Sequence, residues 1–315
     1  PFLDSLANNS LFFSNLYANG TRTVRGLEAL NLSIPPTPGT SIVRRPGNEH
    51  LYSMGEIFKM KGYENKFVYG GYGYFDNMNA FFSGNGFEIV DRSELAKDEI
   101  TFANVWGACD QDMYVRAIKE ADKSFAAGKP FLNFIMTTSN HRPYTFPNVG
   151  IKLTANRNGG VRYTDYALQW LFNAVKTKPW YNNTIFVVVA DHCGSSAGKT
   201  ELPILKYQIP CMIFAPGLVK AQKVDKLCSQ VDVLPTVLKL LNWSYPSTFY
   251  GRDILSMTPD QERAFIGTYQ KLGYVKGNEL VVLSPQKKIS QYTFDRWSGD
   301  MKPVARSEEH TSELQ

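Results

Sequence analysis

Short apolar runs alternate with amphipathic stretches along most of this chain. Residues 184–192 read Thr-Ile-Phe-Val-Val-Val-Ala-Asp-His, with unbroken apolar side chains from Ile185 to Val189. A β-branched run of this kind predicts a strand buried on both faces, as at the centre of a parallel sheet. Residues 11–17, 66–69, 131–136 and 210–215 give further strands. Between them lie helical patterns. Val24, Leu27 and Leu30 repeat at helical spacing before Pro35-Pro36 stops them. Ser53-Met54-Gly55-Glu56 is a capping-box pattern that opens a helix to Lys61, with Gly62 as its stop. Met113, Ala117, Ile118, Ala121 and Phe125 mark another helix, ended by Gly128 and Pro130, and residues 161–177 a long amphipathic one. Asp232 is expected to cap a helix through Val233, Leu234, Val237, Leu238 and Leu241. A short helix is expected to end near Ala7.

From about residue 262 to 300 the pattern changes. Runs at 265–269, 272–275, 279–283 and 289–294 predict a small antiparallel meander. Alternating strands and helices that end in hairpins indicate an α/β sandwich with a central, mostly parallel sheet and a small C-terminal antiparallel sheet.

The 315 residues, 43% hydrophobic and 20% charged, suit a folded globular protein with room for a large core. Apolar runs fall short of the about 20 residues that cross a bilayer as a helix. A net charge of +5 is compatible with an anionic partner such as a phospholipid surface. Cys109, Cys193, Cys211 and Cys228 lack metal-type Cys-x-x-Cys spacing. Residues 306–315 resemble the translation of a sequencing adapter and are set aside as a non-native tail. That leaves residues 1–305 as one domain, cut at its N-terminus, and only His50, His141 and His192 as histidines.

Two of these three histidines stand at strand exits. Asp191-His192 ends the 184–192 strand, and Ser139-Asn140-His141 follows the 131–136 strand. Ligands collect at the carboxyl ends of strands in open α/β sheets, and a carboxylate with an imidazole can coordinate a divalent metal. A third candidate is Gly20-Thr21-Arg22-Thr23-Val24-Arg25-Gly26, a turn entering a helix. Helix amides and the two arginines there favour an anion, and either threonine hydroxyl could meet a phosphate or simply cap the helix. The glycine- and aromatic-rich residues 70–86 could line a cleft or pack over the sheet, and the small-residue loop at 193–200 could move or bind.

Taken in order, the pieces at 1–7, 13–17, 20–26, Ser139-Asn140-His141-Arg142-Pro143-Tyr144, Ala190-Asp191-His192 and the run Ser229 to Thr236 resemble the alkaline phosphatase superfamily. Within it they resemble the sulfatase-like branch of lipoteichoic acid synthases and phosphoglycerol transferases. The resemblance covers residues 1 to about 255. It implies Thr23 as nucleophile, with Thr21 as the alternative, Asp191, His192 and Thr23 as metal ligands, and His141 beside the reacting phosphate. Arg22, Arg25, Asn140, Asp76 and Trp106 are implied as substrate-binding residues. The family carries a further acidic ligand on a strand that would precede Pro1, without which metal binding would be weak and the chain inactive.

The implied cofactor is Mn2+, with Zn2+ or Mg2+ as alternatives. The implied reaction takes a phosphoglycerol group from an anionic phospholipid, phosphatidylglycerol foremost, and hands it to a glycan or glycerol-phosphate acceptor; no nucleic-acid partner is implied. The enzyme would act at the extracytoplasmic face of a bacterial membrane, anchored by helices upstream. Phosphoethanolamine transfer and sulfatase- or phosphodiesterase-type hydrolysis are the same-fold alternatives, and a non-catalytic binding module the alternative of another class. A formylglycine sulfatase needs Cys or Ser where this chain has Thr21-x-Thr23-x-Arg25, of which only the Arg matches.

Overall fold

A computed structural model gives the structure, which describes residues 1–194 and 202–304. The loop at 193–200, from residue 195 on, and the 306–315 tail lie outside the described residues. In chain order the elements are α1 (Phe2–Asn8), β1 (Leu11–Tyr17), α2 (Thr23–Leu32), α3 (Met54–Met60), β2 (Glu64–Tyr69), α4 (Met78–Gly84), β3 (Glu88–Val90), α5 (Asp110–Ala126), β4 (Phe131–Met136) and α6 (Arg157–Val175). They continue with β5 (Phe186–Val189), β6 (Gln208–Phe214), β7 (Gln222–Val224), β8 (Cys228–Ser229), α7 (Val233–Leu240), β9 (Ala264–Gly267), β10 (Leu272–Lys276), β11 (Glu279–Ser284), β12 (Lys288–Phe294) and β13 (Met301–Pro303). One sheet has the order β5-β6-β1-β7, with β8 parallel to β1. The chain divides into two compact units, one of residues 1–12, 43–187 and 212–223, the other of 13–42, 188–211 and 224–315.

The first unit holds the parallel sheet β3-β2-β4. Val68, Val90, Ala108, Met113 and Ala117 form a buried cluster there, so β2 and β3 share their core with α5. Phe67 stacks on Phe82 at 3.8 Å, locking α4 to β2. Ser53 caps α3 by accepting from the Glu56 amide, as its pattern predicts. Helix α1 has no cap of its own; the carboxylate of Asp165 on α6 accepts from the Phe2 and Leu3 amides at 2.9 and 2.7 Å.

In the second unit Ala264, Ile266, Val275, Leu280, Val282 and Phe294 on the antiparallel sheet β13-β12-β11-β10-β9 pack with Tyr17, Leu202, Ile204 and Tyr207. The meander has one strand more than its pattern predicts, because Met301–Pro303 is too short to show a period. Asp232 differs from expectation. It does not cap α7 with its side chain; its buried carboxylate accepts from Arg263 Nη1 and Nη2 at 2.7 and 2.8 Å and from the Ser229 and Arg252 amides at 2.8 Å each. A charged partner and three-sided hydrogen bonding are what allow a carboxylate to sit there without water.

The strands at 131–136 and 186–189 also differ from the expected double burial. Every residue of β4 is half-buried, and β5 is half-buried with Val187 exposed. Among the described residues each pairs with one neighbouring strand. Apolar composition alone does not tell an edge strand from a central one.

Candidate active site

In the second unit the loop after β1 is fixed before it reaches the candidate nucleophile. The Ala18 amide donates to the Tyr207 carbonyl at 2.7 Å. Asn19 donates from its side chain to the Ile34 carbonyl at 2.9 Å and accepts from Ser229 Oγ at 3.1 Å. A Cβ at Gly20 would lie 2.7 Å from Arg25 Cβ, so the turn requires glycine. Arg22 is the extended N-cap residue of α2, and no side chain caps this helix. Thr23 instead donates from Oγ1 to Asp191 Oδ2 at 2.7 Å. This bond replaces the capping role that the sequence left open.

Asp191 and His192 leave β5 as one rigid pair. Asp191 Oδ1 accepts from the His192 amide at 2.9 Å. His192 Nδ1 lies 2.8 Å from the Cys193 carbonyl, which can only accept, so Nδ1 carries the proton. The Nε2 lone pair then faces outward, 3.4 Å from Asp191 Oδ2. Two acceptors held this close repel unless a cation or proton joins them.

Two buried contacts hold the pair against α2. Gln230, fully buried, donates from Nε2 to the Ala190 and Asp191 carbonyls at 3.0 and 3.1 Å while its Oε1 accepts from the Asn19 amide at 3.2 Å. Gly26 on α2 meets the Asp191 backbone directly; a Cβ there would stand 2.6 Å from the Asp191 carbonyl oxygen. The Ser229–Thr236 run gave no hint that its second residue reaches the site. A polar entry, Ser229-Gln230-Val231-Asp232, to an apolar helix is the one signal that could have shown it.

The two arginines separate. Arg25 is buried, with its guanidinium on Glu28 at 2.9 Å and on the Thr37 and Gly39 carbonyls. It shapes the loop from below, which does not match the substrate contact implied for it. Arg22 is exposed, 6.0 Å above the Tyr269 ring, and lines a small pocket with Thr21, Ser41, Thr268 and Tyr269. Thr21 therefore faces this pocket, and Thr23 faces Asp191.

In the first unit, β4 delivers His141. The buried Asp110 at the start of α5 accepts from the Thr138 and Ser139 amides at 3.1 and 2.9 Å, and Ser139 Oγ accepts from the Asp110 amide at 3.1 Å. Burial pushes the Asp110 carboxyl above its ordinary range, against these hydrogen bonds. His141 is exposed, with Nδ1 3.0 Å from the Arg142 carbonyl and its ring 4.0 Å from that of Trp106. Trp106 Nε1 donates to the Arg142 carbonyl, and its ring meets Phe75 edge-on at 5.7 Å. Asn140 is exposed beside Gly160. Asp76 takes a left-handed backbone (φ 53°) and pairs with Arg44 at 3.2 Å. Asp110 was missed by sequence reasoning, since an acidic residue in a first helical turn reads as a dipole partner.

The carboxylate of Asp191, the Nε2 lone pair of His192 and the hydroxyl of Thr23 form an O, N, O donor set that fits a divalent cation of intermediate hardness. Among the described residues no three His, Cys, Asp or Glu side chains come together for a metal. Among the described residues the four cysteines form no disulfide, and no helix there is long and apolar enough to cross a membrane.

The model of the sulfatase family matches residues 1–243. The chain belongs to the sulfatase family. It is similar to lipoteichoic acid synthase 2 of Bacillus subtilis, at 27% identity over 81% of this chain and 43% of that protein. Phosphoglycerol transferase I of Citrobacter koseri is 24% identical over 98% of this chain and 42% of its own length. The chain thus spans less than half the length of these curated relatives. Among solved structures, a protein of the alkaline phosphatase superfamily from Vibrio parahaemolyticus superposes with a TM-score of 0.92 at 34% identity, covering 98% of this chain and 77% of that one. The sulfatase-family chain therefore has the alkaline phosphatase-like fold expected from its sequence, with the small antiparallel sheet set apart.

Proposed function

We propose that this sulfatase-family chain is the catalytic part of a metal-dependent phosphoglycerol-type transferase that acts on a phospholipid phosphodiester, with Thr23 as nucleophile. The observation that carries the reading is the 2.7 Å hydrogen bond from Thr23 Oγ1 to Asp191 Oδ2. It aligns a hydroxyl with a proton acceptor at a strand exit, while both flanking arginines are accounted for. The names of the relatives, lipoteichoic acid synthase and phosphoglycerol transferase, supply the substrate class.

A divalent cation, Mn2+ foremost, would be held by Asp191, His192 and Thr23, and would lower the hydroxyl pKa and offset charge on a phosphoryl oxygen. Thr23 Oγ1 passes its proton to Asp191 and bonds to phosphorus, and the bond from phosphorus to the diacylglycerol oxygen breaks. A general acid protonates that leaving oxygen, the role that the family resemblance implies for His141. The acceptor alcohol then loses its proton to the conjugate base of that acid and displaces Thr23 from the phosphoglycerol group, and Thr23 Oγ1 takes its proton back from Asp191. Arg22, exposed above Tyr269, neutralises the non-bridging phosphate oxygens. The reaction would take place at the extracytoplasmic membrane face.

The test is release of diacylglycerol from fluorescent phosphatidylglycerol by the full-length protein with Mn2+, beside Thr23→Ala and Thr21→Ala. Loss with Thr23→Ala alone supports the reading. Loss with Thr21→Ala alone moves the nucleophile to the Arg22 pocket, and no release by the Mn2+-loaded parent overturns phosphatidylglycerol as donor.

A further inference from the structure

The outward face of the C-terminal sheet is apolar where a solvated sheet face would alternate to polar. Leu272, Leu283 and Ile289 stand directly opposite one another across β10, β11 and β12. Beside them Phe265, Tyr274 and Val281 form a second row that ends in Gln291 on β12, with the Phe265 and Tyr274 rings 5.7 Å apart. The core-facing neighbours Val275 and Leu280 are fully buried, whereas Tyr274, Leu283 and Ile289 are 40, 43 and 38% exposed. Antiparallel sheets ordinarily show polar side chains on the face turned from the core.

Charge on this sheet is one-sided. Between Ala264 and Phe294 the basic residues are Lys271, Lys276, Lys287 and Lys288, and the one acidic residue is Glu279. Lys287, in the turn joining β11 to β12, and Lys288, the first residue of β12, are exposed at the end of the sheet that carries Leu283 and Ile289. That same end meets the candidate site. Leu272 pairs with Gly267, and the turn between them places Tyr269 beneath Arg22. The Tyr269 carbonyl also accepts from the Gly39 amide at 2.9 Å, within the segment whose carbonyls hold Arg25.

We propose that this end of the sheet, Leu272–Leu283–Ile289 with Lys287 and Lys288, docks on the surface of an anionic phospholipid bilayer and brings the Arg22 pocket to the lipid headgroups. The proposal deepens the reading above and rests on it for the identity of the donor. Exposed aliphatic and tyrosine side chains enter the headgroup boundary, and lysines beside them meet anionic headgroups. The bilayer is the occupant that matches both the apolar stripe and the basic excess of charge, and a phospholipid donor resides there.

The experiment is co-sedimentation of the full chain with phosphatidylglycerol vesicles and with phosphatidylcholine vesicles, for the parent, Leu283→Glu/Ile289→Glu and Lys287→Glu/Lys288→Glu. Binding to the anionic vesicles is expected to exceed binding to the neutral ones at least about tenfold, and each double variant to lose about that factor. High salt is expected to weaken parent binding. Thr23→Ala is expected to bind as the parent does. Release of diacylglycerol from vesicles by the full-length protein should fall in both double variants, while its turnover of a monomeric short-chain phosphatidylglycerol stays at the parent rate.

Equal binding to both vesicle types, or full binding by both double variants, overturns the docking surface. A self-association dissolved by Leu283→Glu/Ile289→Glu, with no vesicle binding, assigns the stripe to a second copy of this chain and also overturns it. Vesicle binding without turnover by the parent would retain the docking surface and discard the reaction. Vesicle turnover undiminished in the variants would do the reverse.

Discussion

The exits of β5 and β4 end in the same local device and are supported in different ways. In both, a histidine Nδ1 is set against the carbonyl of the following residue, at 2.8 Å for His192 and 3.0 Å for His141. That contact fixes the proton on Nδ1 and leaves Nε2 to act. At β5 the free nitrogen faces a carboxylate, and the backbone beneath is held by Gln230 and by the close approach of Gly26. At β4 the ring is open to solvent and rests on Trp106, and the loop is held by Asp110. An imidazole paired with an acceptor suits a cation ligand, and an exposed one on an aromatic wall suits proton exchange. The difference between the two histidines lies in their neighbours.

That contrast breaks most sharply at Asp191. Asp191→Ala removes the acceptor of Thr23 and half of the paired donor set, so transferase turnover should fall at least about 10³-fold with Mn2+ affinity lost in parallel. A calorimetric titration with Mn2+ reads the second effect without substrate. His141→Gln should lower kcat by about 10²–10³-fold and leave Mn2+ affinity unchanged. Equal loss of metal binding in both variants would erase the distinction between the exits.

The supports come next. Gln230→Met keeps the shape but removes the donors to the Ala190 and Asp191 carbonyls. It should cost about 1–3 kcal/mol in urea unfolding and weaken Mn2+ binding by about 10–100-fold, as loss of a group that orients a ligand does. Stability lost with metal affinity intact would make Gln230 purely structural.

The smallest effect is expected at Asp110. Its carboxyl is raised by burial, so the folded state holds a proton that the unfolded chain releases above its ordinary value of about 3.9. That contribution is full below pH about 4 and fades as pH rises towards the folded value. Asp110→Asn, nearly isosteric with the protonated acid, should flatten this decline and change stability at pH 7 by less than about 1 kcal/mol. Urea midpoints from pH 4 to 8 would show it, and an unchanged slope would mean that the carboxyl is ionised when folded.

Much of this was legible in the chain itself. The apolar runs located β1, β4, β5 and β6, and the residues after them marked both histidines, because a strand exit is a local event. The roles of Arg22 and Arg25 could not be told apart by spacing. Burial of Arg25 depends on the Thr37 and Gly39 carbonyls, contributed by a turn after α2. Asp232 reads as a cap because the residue that claims it, Arg263, lies 31 positions further along.

The bare backbone at Gly26 has a consequence for the energetics of catalysis. With no side chain between α2 and the exit of β5, the spacing of hydroxyl and carboxylate is set by two packed main chains. It is settled when the protein folds and does not wait for substrate. On the proposed reading a bound phosphodiester would meet a Thr23 hydroxyl already oriented, so little of its binding energy would go into reorganising the protein. One added methyl group at residue 26 would turn that rigidity against the enzyme, because the strain could be relieved only by moving Thr23 or Asp191.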